Sequence, residues 1–164
     1  MRVLKQALLA ALAVAAAGSS PVLACTLAPP ATPEVKRQRT LDFQASLWDR
    51  SEAVFLASVE RRGQVTIGGG GSMAGQEAVL RPILQLKGPR VASPVTVRHT
   101  SVTSCGPAPF LDALHPQAEG VFVVYASSAA PTGDGIIGTL APKAVIEPRV
   151  LEAWAQAYGR ETSR

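Results

Sequence analysis

The alternation of hydrophobic and polar residues predicts five short strands in this chain. Residues 53–59 form a β-rich apolar run, residues 95–100 alternate with period two, and residues 121–126 are apolar on both faces, as in a central strand. Residues 79–86 and 135–140 supply the other two strands. Strands at this meander-like spacing predict a small closed or partly closed barrel rather than a sandwich.

Helical periodicity flanks the predicted strands. Residues 40–50 place Leu41, Ala45 and Trp48 on one helical face. Residues 148–158 predict a second helix, in which Pro148 suits the first turn and Gly159 suits the stop. Its apolar stripe consists of Val150, Leu151, Trp154, Ala155 and Tyr158. We expect this helix to cover one face or end of the barrel, with Trp154 as its main anchor.

The first 24 residues have the order of a secretion signal. Two basic residues give a positive start, an apolar run follows at residues 7–17, and Val22-Leu23-Ala24 offers small residues at the two positions that signal peptidase reads. The apolar run is too short for a stable membrane anchor. We therefore expect cleavage after residue 24, and a mature protein of residues 25–164 in the periplasm, the cell envelope or the extracellular space.

Cleavage at this point makes Cys25 the first residue of the mature chain, and two alternatives follow. Val22-Leu23-Ala24-Cys25 is a loose version of a lipoprotein signal, in which the amine of Cys25 is acylated and the chain is tethered to a membrane. In the other alternative the amine stays free. The sequence leaves both open.

Length and charge limit the classes of function. About 140 mature residues suffice for one domain and are too few for two comfortable ones. Part of the formal net charge of +4 belongs to Arg2 and Lys5 in the signal. Lys36, Arg37 and Arg39 cluster without interleaved aromatic residues, so a solvated surface patch is favoured over a nucleic-acid site.

Motifs for catalysis and metal binding are incomplete. Residues 68–71 are four glycines followed by Ser72, without the lysine of a phosphate-binding loop or the glycine spacing of a nucleophile elbow. His99 and His115 are too few and too far apart for a metal centre built by this chain alone. Asp112 lies near His115, but no activated nucleophile accompanies them. We therefore expect no enzyme, no cofactor and no resident metal.

Cys25 and Cys105 are the only cysteines. An exported chain enters an oxidising compartment, which favours a disulfide between them over two free thiols. Such a bond would tie the mature N-terminus to the centre of the fold.

Four segments resemble the tissue inhibitors of metalloproteinases. The start Cys25-Thr26-Leu27-Ala28-Pro29-Pro30 resembles the family's opening, Cys-x-Cys followed by a proline-containing segment. Residues 44–59 resemble the family's first helix running into its first barrel strand. Residues 102–106 resemble the segment with the partner of the N-terminal cysteine, and residues 120–126 resemble the strand that follows. Together the segments span most of the mature chain.

The resemblance implies an OB-fold of the netrin-like type, a five-stranded Greek-key barrel with a short N-terminal helix and a C-terminal helix. It also implies the Cys25–Cys105 disulfide. The amine and carbonyl of Cys25 would clasp the catalytic zinc of a partner protease, and Thr26 would enter the protease's specificity pocket. A neutral α-amine is a good zinc ligand, and its pKa of about 8 leaves a usable neutral fraction.

This chain departs from the family at Leu27, which stands where the family has its second cysteine. The expected function is that of a metalloproteinase-inhibitor-like binding protein acting through Cys25 and Thr26. The alternative is a non-inhibitory extracytoplasmic interaction module on the same barrel, in which the N-terminus serves only the structure.

Overall fold

The computed structural model of the protein describes residues 31–67, 73–99, 102–103, 106–107, 111–118 and 120–162. The helices are α1 (Pro33–Arg50) and α2 (Pro148–Thr162). The strands are β1 (Ala53–Ile67), β2 (Met73–Lys87), β3 (Val95–Arg98), β4 (Val102–Thr103), β5 (Gly106–Pro107), β6 (Val121–Ala126) and β7 (Ile136–Leu140). Three 3-10 turns lie at Asp112–Leu114, Gly133–Gly135 and Pro142–Ala144.

Five strands form one antiparallel sheet in the order β3-β2-β1-β6-β7, and β4 pairs with β5 in a separate ribbon. β1 and β2 pair as far as Ile67 and Met73, whereas β6 pairs with β1 only over residues 53–58. Within the described residues no strand pairing joins β3 to β7, so the sheet is not closed. The prediction of a mostly β fold with flanking helices is confirmed.

One face of the sheet carries a core to which all five strands contribute. Alternate residues along a strand point to the same face, so the buried positions recur with period two. The core members on the strands are Ala53, Phe55, Ala57, Ala78, Leu80, Val95, Val97, Phe122, Val124, Ala126 and Ile136. Ala113 and Leu114 of a 3-10 turn join them. The chain just before β7 comes close to β3, since a Cβ built on Gly133 would lie 3.8 Å from the carbonyl oxygen of Thr96. The sheet therefore curls around this core, and we call this side its concave side.

The opposite side is covered by the two helices. Leu47 of α1 and Val150 of α2 are buried there, against side chains of β1, β6 and β7. The strand residues of this layer are Val54, Leu56, Val123, Tyr125 and Leu140. Full burial of one such aliphatic side chain contributes about 1.5–3 kcal/mol. The layer therefore stabilises both helices more than their intrinsic propensity does.

A β-bulge in β1 changes which residues face the core. The register with β2 shifts between Val59 and Arg61, so Arg62 pairs with Ala78, which faces the core. The Arg62 guanidinium donates from Nε to the carbonyl of Ala113 at 3.0 Å, and from Nη2 to the carbonyl of Ala118. The bulge thus places a cation where it holds the segment that follows β5.

α1 begins earlier than predicted. It was expected over residues 40–50, but it starts at Pro33 because Thr32 caps it: the Val35 N–H donates to Thr32 Oγ1 at 3.4 Å. Residues 36–39 are all exposed on these added turns. The predicted solvated character of Lys36, Arg37 and Arg39 is confirmed.

α2 covers the sheet as predicted, but its contacts differ from the expected stripe. Val150 and Ala157 are buried, and Trp154 is half-buried. Leu151 and Tyr158 are 45% and 62% exposed. The helix also runs past Gly159 to Thr162, since the glycine does not take the left-handed conformation that ends a helix.

Several predictions fall on residues outside the described ranges. These are the secretion signal at residues 1–24, the start of the mature chain at residues 25–30, and the glycine segment at residues 68–71. In the part of the chain that the structure describes, no helix is both long and apolar enough to span a membrane.

Candidate functional site

The residues predicted to bind a partner, Cys25 and Thr26, lie outside the described residues, and so does Cys105. The structure does describe the chain on either side of Cys105, where β4 and β5 pair Thr103 with Gly106. The disulfide between Cys25 and Cys105 therefore stays a prediction.

The first described helix, α1, is fastened to the fold by a buried amide. The side chain of Gln44 is 2% exposed, and its Nε2 donates to the carbonyl of Ala144 at 2.7 Å. Its Oε1 accepts from the backbone N–H groups of Ile146 and Glu147 at 2.8 and 3.0 Å. These three hydrogen bonds join α1 to the segment before α2.

Arg149 forms a second joint between the helices. Its Nη1 donates to Asp49 at 2.6 Å and its Nε donates to Glu147 at 2.5 Å, while its guanidinium lies 5.9 Å from the centre of the Trp48 ring. The hydrogen bond from Arg149 holds the pKa of Asp49 below its ordinary value of 3.8. The bonds to Asp49 and Glu147 raise the pKa of Arg149. The cluster joins the end of α1 to the start of α2.

Lys87, at the end of β2, supports the same helix end. Its ammonium donates to the carbonyls of Trp48 and Ser51 at 2.7 and 2.8 Å and lies 5.1 Å from the centre of the Trp48 ring. A cation at the C-terminus of a helix is stabilised by the helix dipole. Trp48 therefore contacts two cations, Lys87 and Arg149.

Tyr125 and Glu147 are both buried, and the charge of Glu147 acts on the Tyr125 hydroxyl. Tyr125 is completely buried, and its hydroxyl has no hydrogen-bond partner among the described residues. The Glu147 side chain is 5% exposed, and its Oε2 accepts from the Val150 N–H at 3.0 Å, which caps α2. Burial raises the pKa of Tyr125 well above its ordinary value, and the negative charge of Glu147 raises it further.

The histidines and the acid considered from the sequence have structural contacts. Asp112 accepts a hydrogen bond from the backbone N–H of Ala141 at 2.8 Å, which links a 3-10 turn to the end of β7. His115 Nδ1 accepts from the N–H of Gln117 at 3.3 Å, and the N–H of His99 donates to Gln76 at 2.9 Å. Among the described residues, no three His, Cys, Asp or Glu side chains are grouped so that they could hold a metal ion.

The exposed apolar surface of α2 was not predicted as a site. Leu151, Trp154, Ala155 and Tyr158 line a shallow open groove along the helix. The sequence periodicity identified these four residues, but it assigned them to the core because a stripe at helical spacing is usually buried. Their exposure follows from the orientation of α2, which packs through Val150 and Ala157.

The polar joint between the helices was also missed. Gln44, Asp49, Lys87 and Arg149 are spread over about 100 residues of the chain, as the separation of Gln44 and Ala144 illustrates, and they form no local motif. Glu147 before Pro148 is a local signal, because a proline at the first helical position and an acid near the N-terminus both favour a helix start.

Comparison with protein-family models, with curated proteins and with solved structures finds no match to this chain.

Proposed function

We propose that this protein is an exported, metalloproteinase-inhibitor-like binding domain of the netrin-like type. The observation that carries the proposal is the strand order β3-β2-β1-β6-β7, with one helix before β1 and one after β7. An OB barrel cut open between its third and fifth strands has this order, and the family resembled by residues 25–30, 44–59, 102–106 and 120–126 has that barrel.

The curl of the sheet supports the barrel. β3 and β7 share one core although they are opposite edges of the sheet. A Cβ built on Gly133, just before β7, would lie 3.8 Å from the carbonyl oxygen of Thr96 in β3. Leu111 forms a parallel bridge with Thr139 of β7, and Thr139 Oγ1 accepts from the N–H of Ala113 at 3.0 Å. The segment after β5 thus occupies the edge of β7, where a closing strand would pair.

The proposed inhibitory groups are the free amine and carbonyl of Cys25, which would occupy the open coordination position of a protease zinc. Thr26 would point into the adjacent specificity pocket. The joint built by Gln44 and Arg149 supports this mode of action, because it fixes α1 to the start of α2 and to the segment before it. A binding segment that continues from a fixed element loses less conformational entropy when it docks.

The test is a titration of correctly processed, disulfide-bonded mature protein against a panel of zinc proteases. Addition of one alanine before Cys25 displaces the amine, so it should abolish inhibition while the circular dichroism spectrum and the unfolding midpoint stay unchanged. Thr26→Gly should change inhibition unequally across the panel, because it alters the pocket contact and not the chelation. Absence of inhibition by any processed sample with a free N-terminus would overturn the proposal.

The second candidate function is a non-inhibitory envelope interaction module, and the exposed groove of α2 favours it. Large apolar side chains exposed together on one helix are typical of a protein–protein surface, and Leu151 and Tyr158 are 45% and 62% exposed. This function permits acylation of Cys25, which removes the free amine that inhibition needs. The intact mass of the exported protein separates the two candidates, since an acylated N-terminus leaves only the second.

A further inference from the structure

Three arginines lie together on the side of the sheet opposite the concave core. Ala78 and Leu80 of β2 face that core, so Arg81 points to the other side. Val95 and Val97 of β3 also face the core, which puts Arg98 on the same side as Arg81. Arg61 of β1 joins them.

The strand register fixes the position of Arg61. It pairs with Val79, which lies between the core-facing residues of β2, and directly opposed residues share a face. We call the surface of Arg61, Arg81 and Arg98 the arginine face. The helices cover the same side of the sheet further along, at Leu84 and Leu86 of β2.

On the arginine face the cationic side chains are more exposed than the anionic ones. Arg81 pairs with Glu60, and their side chains are 68% and 26% exposed. Arg98 pairs with Glu77, and there the values are 51% and 16%. Arg61 is exposed and makes no ion pair among the described residues. A partner would therefore meet three exposed guanidinium groups, beside which the two carboxylates are less exposed and already paired.

The spacing suits an extended chain that runs roughly along β2. Arg61 and Arg81 are diagonal neighbours, so their Cβ atoms are about 7–8 Å apart. Arg98 pairs with Glu77, four residues before Arg81 on β2, so it lies about 14 Å from Arg81 and about 12 Å from Arg61. Side chains on one side of an extended peptide repeat at about 6.7 Å. Carboxylates at alternate positions of such a peptide can thus reach neighbouring guanidiniums, and each pair gains from the fixed geometry of arginine.

We infer that the arginine face binds an acidic, extended segment of a partner protein. The residues between the arginines are Val79, Thr96, Gly63 and Glu77. They offer no aromatic ring for a nucleic-acid base to stack on, and the Glu77 carboxylate is paired with Arg98. The surface involves strands β1 to β3 and does not involve Cys25, so this inference goes beyond the proposed inhibitory function and does not depend on it.

The experiment measures the fluorescence anisotropy of a labelled peptide of alternating glutamate and serine, titrated with mature protein at low and at physiological salt. The triple variant R61Q/R81Q/R98Q should weaken binding by about tenfold, since three exposed ion pairs are lost. The control is K36Q/R37Q/R39Q in α1, which removes the same charge from another exposed cluster. It should leave binding within about twofold of wild type, the residual effect of net charge.

A single variant tests whether weaker binding by the triple variant is due to loss of folding. Arg61→Gln removes a cation without leaving a carboxylate unpaired, so it should keep the unfolding midpoint and weaken peptide binding by about twofold. Equal weakening by the two triple variants would show that the peptide responds to net charge alone and would overturn the inference. Tighter binding of a single-stranded DNA oligomer of equal charge through the same arginines would overturn it too, in favour of a nucleic-acid surface.

Discussion

Lys87 and Trp48 are joined twice, once through the backbone and once through the ring. The Lys87 ammonium donates to the Trp48 carbonyl at 2.7 Å and lies 5.1 Å from the centre of the Trp48 indole. It also donates to Ser51, at 2.8 Å. One cation at the end of β2 therefore satisfies the last carbonyls of α1 and packs on its aromatic side chain.

Replacement of Lys87 by methionine should destabilise the protein by about 1–3 kcal/mol, because it keeps the aliphatic stem but removes two charged hydrogen bonds. The measurement is the urea unfolding midpoint followed by tryptophan fluorescence. Lys143→Met is the matched control, since Lys143 is an exposed lysine in a 3-10 turn. Similar losses in both variants would show that the joint with Trp48 contributes nothing.

Asp49 should make stability depend on pH in acid. Its pKa in the folded protein is lowered by the hydrogen bond from Arg149, so its contribution is fully present above the ordinary value of 3.8. That contribution disappears as the pH falls through the lowered folded-state pKa. We expect Asp49→Asn to be less stable than wild type at neutral pH and to approach it at the acid end.

A double-mutant cycle tests this origin. Urea unfolding of wild type, Asp49→Asn, Arg149→Met and the double variant is followed from neutral pH into acid. In the Arg149→Met background, Asp49→Asn should change stability much less, because the partner of the carboxylate is already gone. An undiminished effect of Asp49→Asn in that background would assign the pH dependence to a different contact.

How well the sequence predicts an element of this fold depends on whether the residues that determine the element lie close together in the chain. The strand at residues 121–126 was predicted with its observed bounds, because it is apolar on both faces and is an interior strand, paired with β1 and β7. β1 was predicted to end at Val59 and continues to Ile67. The alternation breaks at the bulge before Arg61, and single-sequence periodicity cannot distinguish a bulge from the end of a strand.

The start of α1 was missed although a local signal exists. Thr32-Pro33-Glu34 has a capping threonine, a proline at the first helical position and an acid in the first turn. The apolar periodicity begins later because these first turns are exposed. The polar joint of Gln44 and Arg149 could not be predicted, since its partners are about 100 residues away and meet only after the sheet has formed.

Tyr125→Phe should stabilise the protein by about 1 kcal/mol or leave it unchanged. The hydroxyl is buried without a partner among the described residues, so its removal relieves a desolvation cost. Thermal and urea unfolding check this. A loss of more than about 1 kcal/mol would instead mean that the hydroxyl is hydrogen-bonded in solution, for example to Glu147 through a water molecule.

Two glycines give a matched test of backbone conformation. Gly88 has a φ of +76°, and a Cβ there would collide with the carbonyl oxygen of Glu52. At Gly63 in β1 an added Cβ would meet nothing within 4 Å, and φ is not positive. Gly88→Ala should cost at least about 2 kcal/mol, whereas Gly63→Ala should be neutral or slightly stabilising. Equal shifts of the urea midpoint in the two variants would contradict the expected difference between the two glycine positions.

The disulfide between Cys25 and Cys105 should form on export and close a loop of about 80 residues, for which chain entropy gives roughly 4–5 kcal/mol as an upper value. Alkylation of the unreduced protein should add no mass, and alkylation after reduction should label both cysteines.

Cys105→Ser should lower the unfolding midpoint without disrupting the five-stranded sheet, which has its own core around Phe55 and Phe122. If the amine of Cys25 is an inhibitory group, the same variant should also weaken inhibition, because the N-terminus is no longer held in place. Two free thiols in the exported protein would rule out the bond and with it the proposed fixed N-terminus.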